Sequence, residues 1–268
     1  MKEILLLLSV LLYGSATYLL LRRLAAGIEA GKRSKVLALG LGLIAALAHM
    51  LLLNHLILTP QGLNLSFFHV LSLTSWLATV LVLFSALKQP VENLAIAVLP
   101  FTAVALLLQS TNVAPDVHVT ISATGLKVHV IISIFSYSLL TIAALQALLL
   151  AVQNRHLRNR HPGGFIRALP PLETMEQLLF RMIGLGYILL SLSLITGATY
   201  IEDIFAQHLV HKTVLSIAAW LVFAILLWGR WRFGWRGRIA IRWTLIGFVA
   251  LMLAYFGSKL VLELILKR

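Results

Sequence analysis

The sequence contains no cysteine, and only 12% of its 268 residues carry a formal charge. Without thiols there can be no disulfide, thiolate metal site, iron–sulfur cluster or Cys-x-x-Cys-His attachment of covalent haem. Any metal must therefore be held by His, Asp, Glu, Met or Tyr. Acidic residues are scarce, 9 against 22 basic ones, for a formal charge of +13. A nucleic-acid binder needs its Lys and Arg on one water-facing surface, but here they sit in short clusters between apolar runs, so no nucleic-acid partner is expected. The motifs of hydrolytic chemistry are missing as well: there is no Gly-rich phosphate loop, no Gly-x-Ser-x-Gly, no His-Glu-x-x-His and no carboxylate pair inside an apolar run. Glu263 is the one acid well within a predicted helix. No catalytic residue, and hence no enzyme, is expected.

What is present is apolar sequence: 60% of the residues are hydrophobic and the mean hydropathy is +0.95. This is far more apolar surface than one soluble core could hide, and it implies a life in lipid. A spanning helix needs roughly 20 apolar residues. Runs of that kind extend from about Ile4 to Leu21, Val36 to Leu58, Ser66 to Leu87, Leu94 to Gln109, Leu126 to Val152, Leu178 to Tyr200, Lys212 to Trp228 and Ile239 to Leu266. The first lacks a small-residue cleavage site and has its positive cluster after it, so it reads as a spanning helix rather than a leader. The fourth is short and holds Pro100, which a spanning helix tolerates where neighbours satisfy the freed carbonyl. The expected fold is all-α and polytopic, with about eight transmembrane helices in a single domain over residues 1–268. No internal repeat appears, which argues against an inverted-repeat transporter.

The basic residues orient these spans. Arg22, Arg23, Lys32, Arg33 and Lys35 fall in the first loop, Lys88 in the third, Arg155, Arg158, Arg160 and Arg167 in the fifth, and Arg230, Arg232, Arg236 and Arg238 in the seventh. The stretch Thr59 to Leu65 is uncharged, while Ser110 to Gly125 holds only Asp116, and Ile201 to His211 holds Glu202 and Asp203 before its terminal histidine. The positive-inside rule then makes the odd loops cytoplasmic and both termini extracytoplasmic.

On this topology His55, His69, His118, His129, His208 and His211 lie at or near the outer face, His49 about 10 Å deeper, and His156 and His161 in the basic fifth loop. Imidazole is the side chain best suited to haem iron, copper or zinc when thiolates are absent, so His129, His211 and His49 are candidate metal and cofactor ligands. For His118 and His208, ordinary solvation competes with ligation. His55 and His69 could instead bond helix-end backbone. His49 shares a helix face with Gly42, Ala45 and Ala46, a strip on which another helix can approach closely, so a structural hydrogen bond competes with ligation there. His129 lies on one stripe with Ser133 and Ser136, beside Tyr137. Lys127, Lys212 and Lys259 could pair with an anionic ligand such as a haem propionate, or snorkel to the interface. Trp228, Trp231 and Trp235 read as an interfacial aromatic belt.

The segments His129-Val130 through Ser136-Tyr137, Phe180-Arg181-Met182-Ile183-Gly184-Leu185-Gly186, Thr196-Gly197, Lys212 to Trp220, Gly234-Trp235-Arg236-Gly237 and Tyr255-Phe256-Gly257-Ser258, with Leu73 to Trp76, form an ordered set. In that order the sequence resembles the cytochrome c assembly protein family (CcsA/CcmC-like), most closely its bacterial inner-membrane YpjD-like branch. The resemblance implies a multi-pass protein of the bacterial inner membrane with an outer-side haem site, in which two histidines flank a tryptophan-rich WWD loop. His129 matches the first of those histidines. The loop from Glu202 to His211 has no tryptophan, and where the second histidine is expected the chain has Lys259. His211 or His49 could replace it. The resulting expectation is haem binding or handling, with a non-covalent b-type haem, the bilayer as partner and another membrane or periplasmic protein as a further one. The alternatives are a non-haem accessory or scaffold subunit that binds another membrane protein, and a small-molecule permease, which would need a continuous polar path.

Overall fold

The computed structural model describes residues 2–26, 32–60, 62–89, 91–111, 118–119, 123–158, 169–200 and 207–257. In hydrocarbon every backbone amide and carbonyl must be satisfied within its own segment, so long apolar runs become helices. Among the described residues, eight helices are long and apolar enough to cross a membrane. They are α1 (Lys2–Ala26), α2 (Lys32–Ile57), α3 (Phe67–Lys88), α4 (Glu92–Ser110), α5 (Thr124–Arg158), α6 (Leu172–Tyr200), α7 (Gln207–Phe233) and α8 (Gly237–Met252), the last continued by a π-helical turn over Leu253–Gly257. The all-α, polytopic expectation is met. Pro100 sits inside α4 without ending it.

Some boundaries differ from those expected. Helix α5 runs on past Val152 to Arg158, and α6 starts at Leu172 rather than Leu178. The hydropathy of a run marks the edge of the lipid, whereas polar helix formers such as Gln153, Asn154 and Arg155 extend the helix beyond it. At 35 residues, α5 is about 52 Å long, well over the thickness of a hydrocarbon core. Pro170 and Pro171 lie immediately before α6, where a missing amide costs nothing. The predicted eighth run beyond Gly257, including Lys259 and Glu263, lies outside the described residues, as does His161.

Helix α1 packs on α2 and α4; α3 packs on α2, α4 and α5; α5 packs on α6 and α8; and α7 packs on α6 and α8. One buried apolar cluster joins α1 to α4, around Tyr13, Leu39, Leu83 and Leu99. A second fills α5 to α8, around Leu140, Leu179, Phe223 and Leu251. The two faces of the bundle are unlike. At one, the helix ends carry the arginine clusters, and Glu92 there bonds both Arg23 at 2.7 Å and Lys35 at 2.9 Å, tying α1, α2 and α4 together. At the other lies a small antiparallel sheet, β1 (Leu58–Thr59), β2 (Gly62–Asn64) and β3 (His118–Val119), with Leu58 opposite Leu63 and Asn64 opposite His118. It links the α2–α3 connection to the α4–α5 connection.

The Gly234-Trp235-Arg236-Gly237 segment is the turn from α7 to α8. Gly234 and Gly237 have φ of 67° and 52°, left-handed values that glycine adopts without a Cβ clash. The Trp235 ring lies against Gly229, where a Cβ would come within 2.4 Å of it, and Trp235 tilts against Trp243 with centroids 5.6 Å apart. Trp235 therefore packs the turn. Trp228 and Trp231, at 56% and 82% exposure, project from α7 as interfacial residues do.

Candidate functional site

His129 stands five residues into α5, on the face turned to α6. Its Nδ1 lies 2.9 Å from the Ser193 carbonyl oxygen and 3.2 Å from Thr196 Oγ1. A carbonyl can only accept, so Nδ1 carries the proton and donates. The neutral ring then has its lone pair on Nε2, for which no hydrogen-bond partner exists among the described residues. The imidazole is half-buried and lies against Gly197, where a Cβ would sit 3.0 Å from Cε1. Glycine there allows α6 to lie flat on the ring. The hydroxyls of Ser133 and Ser193 bond each other at 2.7 Å, and Ser136 donates to the Gly186 carbonyl at 3.0 Å. The polar stripe on α5 thus fastens α5 to α6 and fixes the direction of the His129 ring.

Further along the same helix, Tyr137 donates to the Leu251 carbonyl at 3.1 Å, at the point where α8 passes into its π-helical turn. Its ring meets Tyr255 and Phe256 edge-on, with centroids 6.1 and 6.4 Å apart. Phe256 in turn meets Phe67 at the start of α3. Lys212, in the first turns of α7, lies over the Tyr255 ring at 5.8 Å. The result is an aromatic shelf with a cation beside it, built from α3, α5, α7 and the π-helical turn.

His49 is placed otherwise. It is fully buried, with Nε2 2.9 Å from Ser72 Oγ on α3 and Nδ1 3.3 Å from the Tyr13 hydroxyl on α1. Both nitrogens are engaged. The expected small-residue strip is in use, since Gly42 admits Leu83 of α3 at 3.1 Å from its would-be Cβ. The structural hydrogen bond is therefore what is observed at His49.

The remaining expected residues scatter. His211 and Lys127 are exposed, and no hydrogen bond joins either to His129 among the described residues. His55 is exposed at the end of α2, and His156 is exposed on the opposite face, where its ring bonds the Val152 carbonyl. His69 is buried and bonds Ser66 through Nδ1. The backbone of His118 pairs with Asn64 in the sheet. His208 opens α7 within its first turn. Among the described residues no group of three or more His, Asp or Glu side chains gathers to hold a bare ion. Nothing in the sequence singles out the partners Tyr13, Ser72 and Ser193, because each is one ordinary residue in a long apolar run.

The sequence model of the family described as Cytochrome C assembly protein matches residues 37–266. The chain belongs to the cytochrome c assembly protein family. It is 38% identical over 226 residues to the inner membrane protein YpjD of Escherichia coli K12, covering 83% of this chain and 85% of the relative. It is 26% identical over 202 residues to the cytochrome c biogenesis protein CcsA of Chlamydomonas reinhardtii, 74% of this chain and 54% of the relative. A match at 25% identity covers 49% of this chain and 49% of protein HemX of Brevibacillus brevis. No solved structure matches. Most of the elements above lie inside the family's matched region, His129 and its α6 partners included. The molecule is a multi-pass membrane member of the cytochrome c assembly family.

Proposed function

We propose that the protein binds haem non-covalently, as a b-type haem, on the face opposite the arginine clusters, where His129 would hold its iron through Nε2. The observation that carries this reading is an imidazole whose Nδ1–H is fixed by a backbone carbonyl and whose Nε2 has no hydrogen-bond partner among the described residues. That arrangement is how metal-binding histidines are oriented and made more basic. A porphyrin brings four nitrogens of its own, so one or two protein ligands suffice, which suits a site where three-residue clusters are lacking among the described residues. Tyr137 and Tyr255, packed edge-on with Phe256, offer an apolar aromatic wall for a macrocycle, and Lys212 over the Tyr255 ring a cation for a propionate. Lys127, at the α5 entry, would serve the same purpose, as would Lys259, which lies outside the described residues. As second ligand His211 is preferred to His49, because His49 would have to give up bonds to Tyr13 and Ser72.

By the positive-inside rule the arginine-bearing face is cytoplasmic, so the haem face is extracytoplasmic. Kinship with YpjD supports a place in the bacterial inner membrane. Family membership, with relatives named for cytochrome c biogenesis, supports haem handling; on this reading the protein is not an enzyme and works alongside another membrane or periplasmic protein. A second reading, a scaffold that keeps the fold without the pigment, draws on the absence of tryptophan between Glu202 and His211.

Protein purified from haem-replete cells decides between them. Haem at a stoichiometry near one, lost in His129→Ala but kept in His49→Ala, is the expected result. A colourless preparation that carries a stoichiometric protein partner would establish the scaffold instead.

A further inference from the structure

At the arginine-bearing face a cleft of about 550 Å³ opens between the end of α5 and the start of α8. Arg155 and Arg158 line it from α5, and Arg238 and Arg242 from α8, while Ala151 and Ile241 add apolar lining and Asn154 an amide. These arginines are exposed, and none has an acidic partner among the described residues, where both ion pairs belong to Glu92. Glu176, at the start of α6, accepts the Gly237 amide at 2.7 Å and caps α8. Four like charges thus line one cleft without an acidic partner among the described residues. Mutual repulsion disfavours that arrangement unless an anion fills it.

The depth of the cleft identifies the kind of anion. Trp228, Trp231 and Phe233, all largely exposed at the end of α7, mark the membrane interface one turn of chain away from Gly237. Arg238 and Arg242 are in the first turns of α8, and α5 exceeds the hydrocarbon thickness by enough to bring Arg155 and Arg158 to headgroup level. A cleft at the membrane interface that is lined by guanidinium groups together with apolar side chains matches a phosphate that carries acyl chains. Basic pockets between helices on this side of a membrane bind anionic headgroups in just this way, and guanidinium groups grip phosphate oxygens in pairs.

We infer that the α5–α8 cleft binds the phosphate of an anionic membrane phospholipid, clamping the two helices together at the headgroup level. This site is independent of the haem reading and lies on the opposite face.

Native mass spectrometry of the full chain in mild detergent tests it, with phosphatidylglycerol, phosphatidylcholine and inorganic phosphate titrated separately. The variants are R155Q/R158Q and R238Q/R242Q, each of which leaves cations in its own loop to preserve topology. A control, R22Q/R33Q/K88Q, removes exposed charge from the same face but away from the cleft. Phosphatidylglycerol should be retained in preference to phosphatidylcholine. Its affinity should fall roughly fivefold for each arginine neutralised in the cleft, and should stay unchanged in the control. Equal retention by wild type, both cleft variants and the control would overturn the inference. So would inorganic phosphate bound in a form that phosphatidylglycerol cannot displace, which would make the cleft a site for the free ion.

Discussion

The two halves of the bundle each contain an intramembrane histidine, and they treat it in opposite ways. In the α1–α4 half, His49 is closed off, with Tyr13 on one nitrogen and Ser72 on the other and no exposed surface. In the α5–α8 half, His129 is held through Nδ1 and lies against a glycine, and its Nε2 has no hydrogen-bond partner among the described residues. Burying an imidazole in lipid is costly in both cases. One half recovers that cost by hydrogen bonds between helices, so its histidine acts as a structural crosslink. The other spends its hydrogen bonds on aiming the ring, which is what a ligand requires.

Substitutions can break this contrast. The largest effect is expected from His49→Ala, which leaves a buried cavity and orphans two hydroxyls. We expect a loss of about 2–4 kcal/mol in stability, read as a fall in thermal unfolding temperature in detergent, with haem content of the folded fraction unchanged. Gly197→Val should act the other way round: its side chain would collide with the His129 ring, at about 1–3 kcal/mol of overpacking, and haem content should fall with it. Glu92→Gln removes the shared carboxylate from between Arg23 and Lys35. It should cost about 1 kcal/mol, with the difference from wild type narrowing in high salt. The smallest effect is expected from Ser133→Ala, which loses the bond to Ser193 at about 0.6 kcal/mol. Its signature would be a broadened or shifted haem spectrum rather than a lower unfolding temperature.

How much of this could be read from sequence follows the same physics. The spans were legible because lipid leaves a long apolar run no option but a helix, and the arginine clusters ordered them in space. The ends of α5 and α6 were not, because hydropathy is blind to polar residues that prolong a helix outside the membrane. The small sheet was hidden too, since strands of two or three residues show no periodicity. His129 stood out by its stripe with Ser133 and Ser136, and Thr196-Gly197 was visible as a motif. That the motif is the surface on which the ring lies became apparent only when α5 met α6. Tyr13 and Ser72 lie 36 and 23 residues from His49, and nothing in their own surroundings singles them out. The arginines of the α5–α8 cleft were read as orientation signals, because their convergence depends on helices that are far apart in the chain.

The most direct test of the open-nitrogen account is the absorption spectrum of His129→Gly purified from haem-replete cells, recorded with and without added imidazole. The account predicts that the Soret band of the wild type is absent from the variant and returns when imidazole fills the vacated position. A variant spectrum identical to that of the wild type, or a wild type without any band, would contradict it.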